Sequence, residues 1–195
     1  MPWPNHPAKR FFDALCAAGL LILLAPLMAA LALLIRLRMG APVLFHQTRP
    51  GRNGVLFTLI KFRSMQSGEE PECQRIPPLG RFLRATSLDE LPELWNILKG
   101  DMSFVGPRPL MPEYLPLYTP EQARRHQCRP GLTGWAQIQG RNHLSWEEKF
   151  RQDLWYVDHA TPLLDLKILL RTPGALLSGG SGPTGPFTGS PPPPS

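Results

Sequence analysis

Cysteine is scarce and scattered in this chain. Cys16, Cys73 and Cys128 are the only three in 195 residues. They are odd in number and form no CxxC pair, which argues against a disulfide framework and suits reduced thiols in a cytosolic setting. The five histidines, His6, His46, His126, His143 and His159, show no HxxxH or HExxH spacing. A zinc centre therefore has no support. Charge is missing from two long stretches. The 24 residues from Thr172 onward carry none, and seven Pro and six Gly among them mark a tail that cannot bury enough apolar area to fold alone. Ala14 to Ile35 is 22 residues without a charge, and this stretch is apolar. No internal repeat is visible.

The apolar run reads as a membrane segment. At 1.5 Å per residue it reaches roughly 33 Å, enough to cross a hydrocarbon core. Its flanks argue against simple crossing. Lys9 and Arg10 precede it, and Arg36 and Arg38 follow it; basic residues mark the cytoplasmic side, and here both ends carry two. Pro26 near the middle removes a backbone donor and clashes with the preceding turn. A re-entrant helix–break–helix, entering and leaving on one face, fits both facts. No small-residue cleavage site follows the run, so the segment is expected to be retained. The net charge of +6 and pI near 9.7 suit anionic partners, and beside an apolar anchor these are lipid and phosphorylated substrate rather than nucleic acid.

The remainder reads as α+β, mainly helical, with 1–38 as membrane anchor, 39–171 as a small cytosolic domain and 172–195 as disordered tail. Val43–Gln47 and Val55–Phe62, joined through Asn53-Gly54, predict a β-hairpin. Gln66 to Pro78 is polar and reads as a loop. Pro78–Arg84 is a short basic amphipathic helix. Trp146, Phe150, Leu154 and Val157 recur at helical spacing, and Leu163–Leu170 is apolar except for Asp165 and Lys167. These helices either lie in the membrane interface or pack on one another; periodicity alone does not separate the two. Trp3, Trp95, Trp146 and Trp155 are candidate interfacial anchors, although aromatics in a small core are the commoner case.

Ser87-Leu-Asp-Glu-Leu-Pro-Glu-Leu-Trp-Asn-Ile-Leu-Lys-Gly-Asp101 predicts a helix with Leu91, Leu94, Trp95 and Leu98 as its apolar stripe and Gly100 as its stop. Pro92 falls in the first turn, where its missing N–H costs nothing. Asp89 and Glu90 then sit at the helix start. There Ser87 and Glu90 match a capping box, and acids favour the dipole. The functional alternative is that the two acids hold Mg²⁺, or that one attacks phosphorus. Arg108, fixed between Pro107 and Pro109, is placed to fork onto phosphate oxygens. Lys61 and Arg63 flank Phe62 and would share one side of a strand, facing phosphate or water. Arg129 opens a Gly-rich stretch to Asn142 that reads as an ordered loop able to donate backbone N–H groups to an anion.

The order of these blocks resembles the bacterial sugar transferase family, small monotopic polyprenyl-phosphate phosphoglycosyltransferases. An apolar segment comes first. Then follow Lys61-Phe-Arg-Ser-Met65, Thr86-Ser-Leu-Asp-Glu-Leu-Pro92, Lys99 to Pro109 and Arg129-Pro-Gly-Leu-Thr-Gly-Trp-Ala-Gln137. The likeness spans about Lys9 to Leu170. It implies transfer of a sugar-1-phosphate from a UDP-sugar to polyprenyl phosphate in a bacterial cytoplasmic membrane, with UMP as leaving group and the site on the cytoplasmic face. It implies Asp89 as nucleophile, Glu90 as the Mg²⁺-associated acid, Arg108 as a phosphate-binding arginine, and Pro26 as the membrane break. Lys61, Arg63 and Arg129 are further candidates for phosphate contact. A homo-oligomer stays open. The competing readings are a membrane-bound Mg²⁺-dependent nucleotide-sugar diphosphatase and a non-catalytic adaptor.

Overall fold

A computed structural model describes residues 2–66, 68, 75–140, 144–177 and 187–189. Cys73, His143, Arg141, Asn142, most of the predicted 66–78 loop and most of the tail lie outside the described residues. The chain opens with a 3₁₀ turn, Trp3–Asn5, and then helix α1, Pro7–Met39. Pro7 occupies the first helical turn and the His6 side chain accepts from Ala8 N, so the start is capped locally. Gly40, at φ 76°, ends the helix.

The expected helix–break–helix is one continuous 33-residue element with Pro26 inside it. This is the single helix among the described residues long and apolar enough to cross a membrane. Phe11, Leu15, Ile22, Leu23, Leu27, Leu33 and Leu37 are exposed along it. Its buried side packs on the globular domain on both sides of the proline. Before Pro26, Ala17 joins Leu59, Leu94, Ile97 and Met102. After it, Leu31 and Ile35 join Phe62 and Leu83. The N-terminal charges are committed to protein partners. Lys9 is buried, its Nζ 2.6 Å from Asp165 Oδ2, and Trp3 Nε1 donates to the same oxygen at 2.8 Å. Arg10 donates to the carbonyls of Ile97 and Leu98 at 2.6 and 2.5 Å.

The hairpin forms as expected. Strands β1, Leu44–Pro50, and β2, Leu56–Phe62, pair antiparallel with Lys61 opposite Phe45. Asn53 and Gly54 take the positive φ values, 56° and 75°, that the tight reversal requires. Helix α2, Pro78–Ala85, follows, then a 3₁₀ turn, Leu88–Glu90, and helix α3, Glu93–Lys99. Gly100, at φ 99°, closes α3 by donating to Asn96 O and Ile97 O. Leu94 and Ile97 face the core, whereas Trp95 is exposed. The inward stripe is therefore carried by Ile97 in place of the expected Trp95.

Strand β3, Ser103–Val105, pairs in parallel with β4, Gly131–Thr133. The two backbones nearly touch: a Cβ on Gly131 would fall 2.1 Å from Gly106 N. The stretch after Arg129 is thus a strand followed by helix α5, Trp135–Gln139, where an anion-binding loop was expected. A 3₁₀ turn, Pro112–Leu117, the short helix α4, Pro120–Ala123, and a second 3₁₀ turn, Arg124–Gln127, lie between the strands.

Helix α6, Trp146–His159, opens on a capping box between Ser145 and Glu148 and turns Phe150, Asp153 and Tyr156 inward. Helix α7, Pro162–Leu177, carries the chain past the expected tail boundary at 172. The α7 sequence divides between both of its possible settings. Ile168 is fully buried and Asp165 is held by Lys9, Trp3 and the Tyr156 hydroxyl, 2.7 Å from its Oδ1. Leu163, Leu166 and Leu170 are exposed. Phe187 of the tail is also buried, seated against Tyr114, Tyr118, Trp146 and Phe150 at ring separations of 5.1 to 5.9 Å.

Candidate active site

The acidic pair does not start a helix in the expected way. Ser87 is left-handed at φ 55° and its side chain caps nothing; α3 begins only after Pro92. The capping box is therefore not formed: the 3₁₀ turn carries Glu90 to tertiary partners and leaves Asp89 buried beside it. Asp89 is 8% exposed. Glu90 Oε1 receives Lys61 Nζ at 2.8 Å and Arg108 Nη2 at 2.9 Å. Lys61 Nζ also lies 3.0 Å from Glu93 Oε1. One lysine thus bridges two carboxylates that stand one turn apart.

Each cation is placed by a buried support. Asn96, fully buried on α3, accepts from Ile60 N at 3.1 Å through Oδ1 and donates to Thr58 O at 2.7 Å through Nδ2. This satisfies the free edge of β2 and fixes the strand that carries Lys61. Arg108 sits in an extended stretch between two prolines. Pro107 O accepts from Gly131 N at 3.0 Å, and Arg108 O accepts from Arg125 Nη2 at 2.8 Å. Arg125 is itself buried and paired with Asp153 at 2.6 Å.

Burial and charge set the carboxylates apart. Burial pushes Asp89 up to about 6, and the neighbouring Glu90 charge adds to it, against Lys61 and Arg84. Burial also acts to raise Glu90, but Arg108 and Lys61 outweigh it and hold its carboxyl below the usual range. Glu93 is raised, first by burial and then by Glu90. Arg108 is raised by Glu90. The result is a firmly ionised Glu90 beside a desolvated, more basic Asp89, an arrangement in which neighbouring acids can take separate roles.

The other expected cations stand elsewhere. Arg63 lies one residue past β2, and its Nη2 donates to the carbonyls of Met39 and, at 2.7 Å, Gly40. It ties down the C-terminal end of α1 and does not share a side with Lys61, because the strand ends at Phe62. Arg129 Nε donates to Gly100 O at 3.0 Å, and burial followed by Arg10 and Arg52 lowers its pKa. The structure therefore joins Asp89, Glu90, Lys61 and Arg108, and leaves Arg63 and Arg129 on supporting contacts. Glu93 was not singled out in the sequence, although its i+3 spacing from Glu90 placed it one turn away. The Asn96 support had no sequence signal.

A cavity of about 340 Å³ reaches this cluster. Its wall is built from Leu20 and Leu24 of α1, Leu88 and Leu91, and Leu169 and Leu176 of α7, with Ser87 and Glu90 at its polar side. Lys61 and Arg108 do not line it. Glu90 is thus the junction between an apolar chamber and a basic group. Among the described residues no cluster of three or more His, Cys, Asp or Glu side chains converges as a metal site. Both ion pairs to Glu90 use Oε1, which leaves Oε2 and the Asp89 carboxylate for a cation shared with phosphate oxygens, the arrangement Mg²⁺ commonly adopts.

The chain belongs to the bacterial sugar transferase family, whose model matches residues 4–179. Membership makes it an enzyme of the sugar-transferase class. It is 51% identical to an uncharacterised sugar transferase, EpsL, of Bacillus subtilis, with 84% of each chain covered. It is 44% identical to a UDP-glucose:undecaprenyl-phosphate glucose-1-phosphate transferase of Caulobacter vibrioides, over 87% of this chain and 70% of that protein. It is 37% identical to an undecaprenyl-phosphate galactose phosphotransferase of Salmonella typhimurium, over 87% of this chain but only 40% of the longer relative.

Proposed function

We propose that this enzyme transfers a sugar-1-phosphate from a UDP-sugar to membrane polyprenyl phosphate, releasing UMP, in two displacements through Asp89. The observation that carries the reading is the desolvated Asp89 carboxylate, raised to about 6, beside a Glu90 held ionised by Lys61 and Arg108. Asp89 attacks the sugar-bearing phosphorus, the bond from that phosphorus to the oxygen of UMP breaks, and an acyl phosphate forms. An oxygen of the lipid phosphate then attacks the same phosphorus and returns the carboxylate. Phosphoryl transfer asks mainly for positioning and charge neutralisation, which Arg108 and Lys61 supply on the basic side of Glu90. Asp89 and Glu90 Oε2 would hold Mg²⁺, which when bound neutralises phosphate charge. The apolar chamber between α1 and α7 suits an isoprenoid chain, since its lining is largely apolar, with leucine the commonest residue, and includes Glu90.

A re-entrant anchor with the site at the cytoplasmic face of a bacterial membrane agrees with the packing of α1. Residues before and after Pro26 rest on one globular domain. Its first turns are tied by Lys9 and Arg10, and its last by Arg63. Polar anchorage of both ends to one body is difficult to reconcile with ends on opposite sides of a bilayer.

The test is the full chain in nanodiscs with a panel of UDP-sugars, polyprenyl phosphate and Mg²⁺, scored by UMP release and by extraction of lipid-linked product. UMP release that requires the lipid, together with a polyprenyl diphosphate sugar, is expected. Soluble sugar phosphate formed without lipid would make the enzyme a nucleotide-sugar diphosphatase, and no turnover of any donor would leave it an adaptor.

A further inference from the structure

Arg49, near the end of β1, is a cation that the ion pairs around Glu90 leave unused. Its Nη2 donates to Gln47 Oε1 at 2.6 Å, and its Nη1 reaches Pro109 O at 3.3 Å. Its Nε is closed off from solvent and has no acceptor. Among the described residues no carboxylate lies within ion-pair distance of it. A guanidinium has five N–H donors, so three of Arg49's remain without a protein partner. Burial and the neighbouring Arg108 oppose its charge and outweigh Glu93 and Glu113, which favour it.

Two arginines are thus held beside one another at Pro107–Pro109. Arg108 spends one donor on Glu90 and is otherwise half exposed. Glu90 is already matched by two cations, and Glu93 shares Lys61. Lys61 and Arg108 are spent on Glu90 and Glu93, whereas the Arg49 guanidinium has no ion-pair partner among the described residues. A guanidinium with unused, partly desolvated donors beside a second, half-exposed arginine forms a site for a multiply charged oxyanion such as a diphosphate. The positions order the two arginines along such a ligand. Arg108 touches Glu90 and so stands next to Asp89, whereas Arg49 contacts the following residue, Pro109.

We propose that Arg49 binds the departing phosphate of the donor, the one that leaves with the nucleoside, while Arg108 meets the phosphate that Asp89 attacks. This rests on the phosphoglycosyltransferase reading. Arg49 would hold UMP before and after the first displacement and make no contact with the lipid phosphate.

The experiment compares the full-length wild type with Arg49→Gln and Arg49→Lys in nanodiscs. It reads KM for the UDP-sugar and for polyprenyl phosphate, Ki for UMP, equilibrium UMP binding, and Tm. Loss of a charge-assisted phosphate contact is worth about 10- to 100-fold. Arg49→Gln is expected to raise both the UDP-sugar KM and the UMP Ki by that factor, and to leave the polyprenyl phosphate KM within about twofold. Arg49→Lys, which keeps the charge but not the fork, is expected to fall between them with wild-type Tm. Unchanged UMP binding in Arg49→Gln overturns the proposal. So does an equal rise in both KM values with a lowered Tm, the mark of a structural role. If the wild type transfers nothing, the functional reading fails by itself. UMP binding that is about 10-fold or more weaker in Arg49→Gln would then still support the anion site, and wild-type failure to bind UMP would remove it.

Discussion

Asp89→Asn replaces a buried carboxylate with its neutral isostere, and its consequences follow from the surroundings of that one group. The side chain sits in a residue only 8% exposed, and its pKa is pushed up to about 6 by burial and by Glu90. An unfolded aspartate titrates near 3.9. Each pH unit between the two values corresponds to about 1.4 kcal/mol, so ionised Asp89 costs the folded state up to about 3 kcal/mol at neutral pH. Because the folded value is the higher one, stability is fully present below about pH 4 and is lost as the pH rises through about 6. Asparagine carries no charge to desolvate. At pH 7.5 the variant should therefore unfold at a Tm higher by up to roughly 6–12 °C for a chain of this size, and the gap should vanish toward pH 4. The same residue should set the acid limb of kcat/KM near pH 6, and the variant should transfer no phosphosugar while staying in the membrane. Thermal unfolding in detergent between pH 4 and 8, run beside the transfer assay, measures both. An equal or lower Tm at pH 7.5, or a gap that does not change with pH, refutes the desolvated carboxylate. Full activity of the variant refutes the nucleophile.

Asn96→Ala should lower Tm by roughly 5–10 °C, because it strands Ile60 N–H and Thr58 C=O, a loss of about 2–3 kcal/mol. Transfer should fall with it as β2 loosens under Lys61; a wild-type Tm would show that Asn96 does not hold the strand. Sidedness is read at exposed positions, since Lys9 is buried and would label poorly. Pro2→Cys and Arg38→Cys, in a background without other cysteines, should both react with an impermeant maleimide in inside-out vesicles and neither in intact spheroplasts. Reaction from opposite sides would establish a spanning helix.

Features that depend on neighbours along the chain were legible in the residues alone. Apolar length and flanking charge marked α1, Asn53-Gly54 marked the hairpin turn, and Gly100 stopped α3. The sequence also singled out Asp89, Glu90, Lys61 and Arg108, since a proline-braced arginine and adjacent acids are unusual locally. Short-range patterns could not choose between a capping box and an ion pair for Glu90. That choice fell to Lys61 and Arg108, which lie 29 and 18 residues away in the chain and reach the carboxylate only through packing. The same holds for Lys61 and Arg63. Alternation put them on one side, but β2 ends between them, and the free carbonyls of α1 took Arg63. The tertiary structure also decided that Pro26 lies inside a continuous helix, that both halves of that helix rest on one domain, and that Asp165 holds the N-terminus. Periodicity reports which face of an element is apolar; which partner covers it, and which buried charges meet there, is set by contacts between segments far apart in sequence.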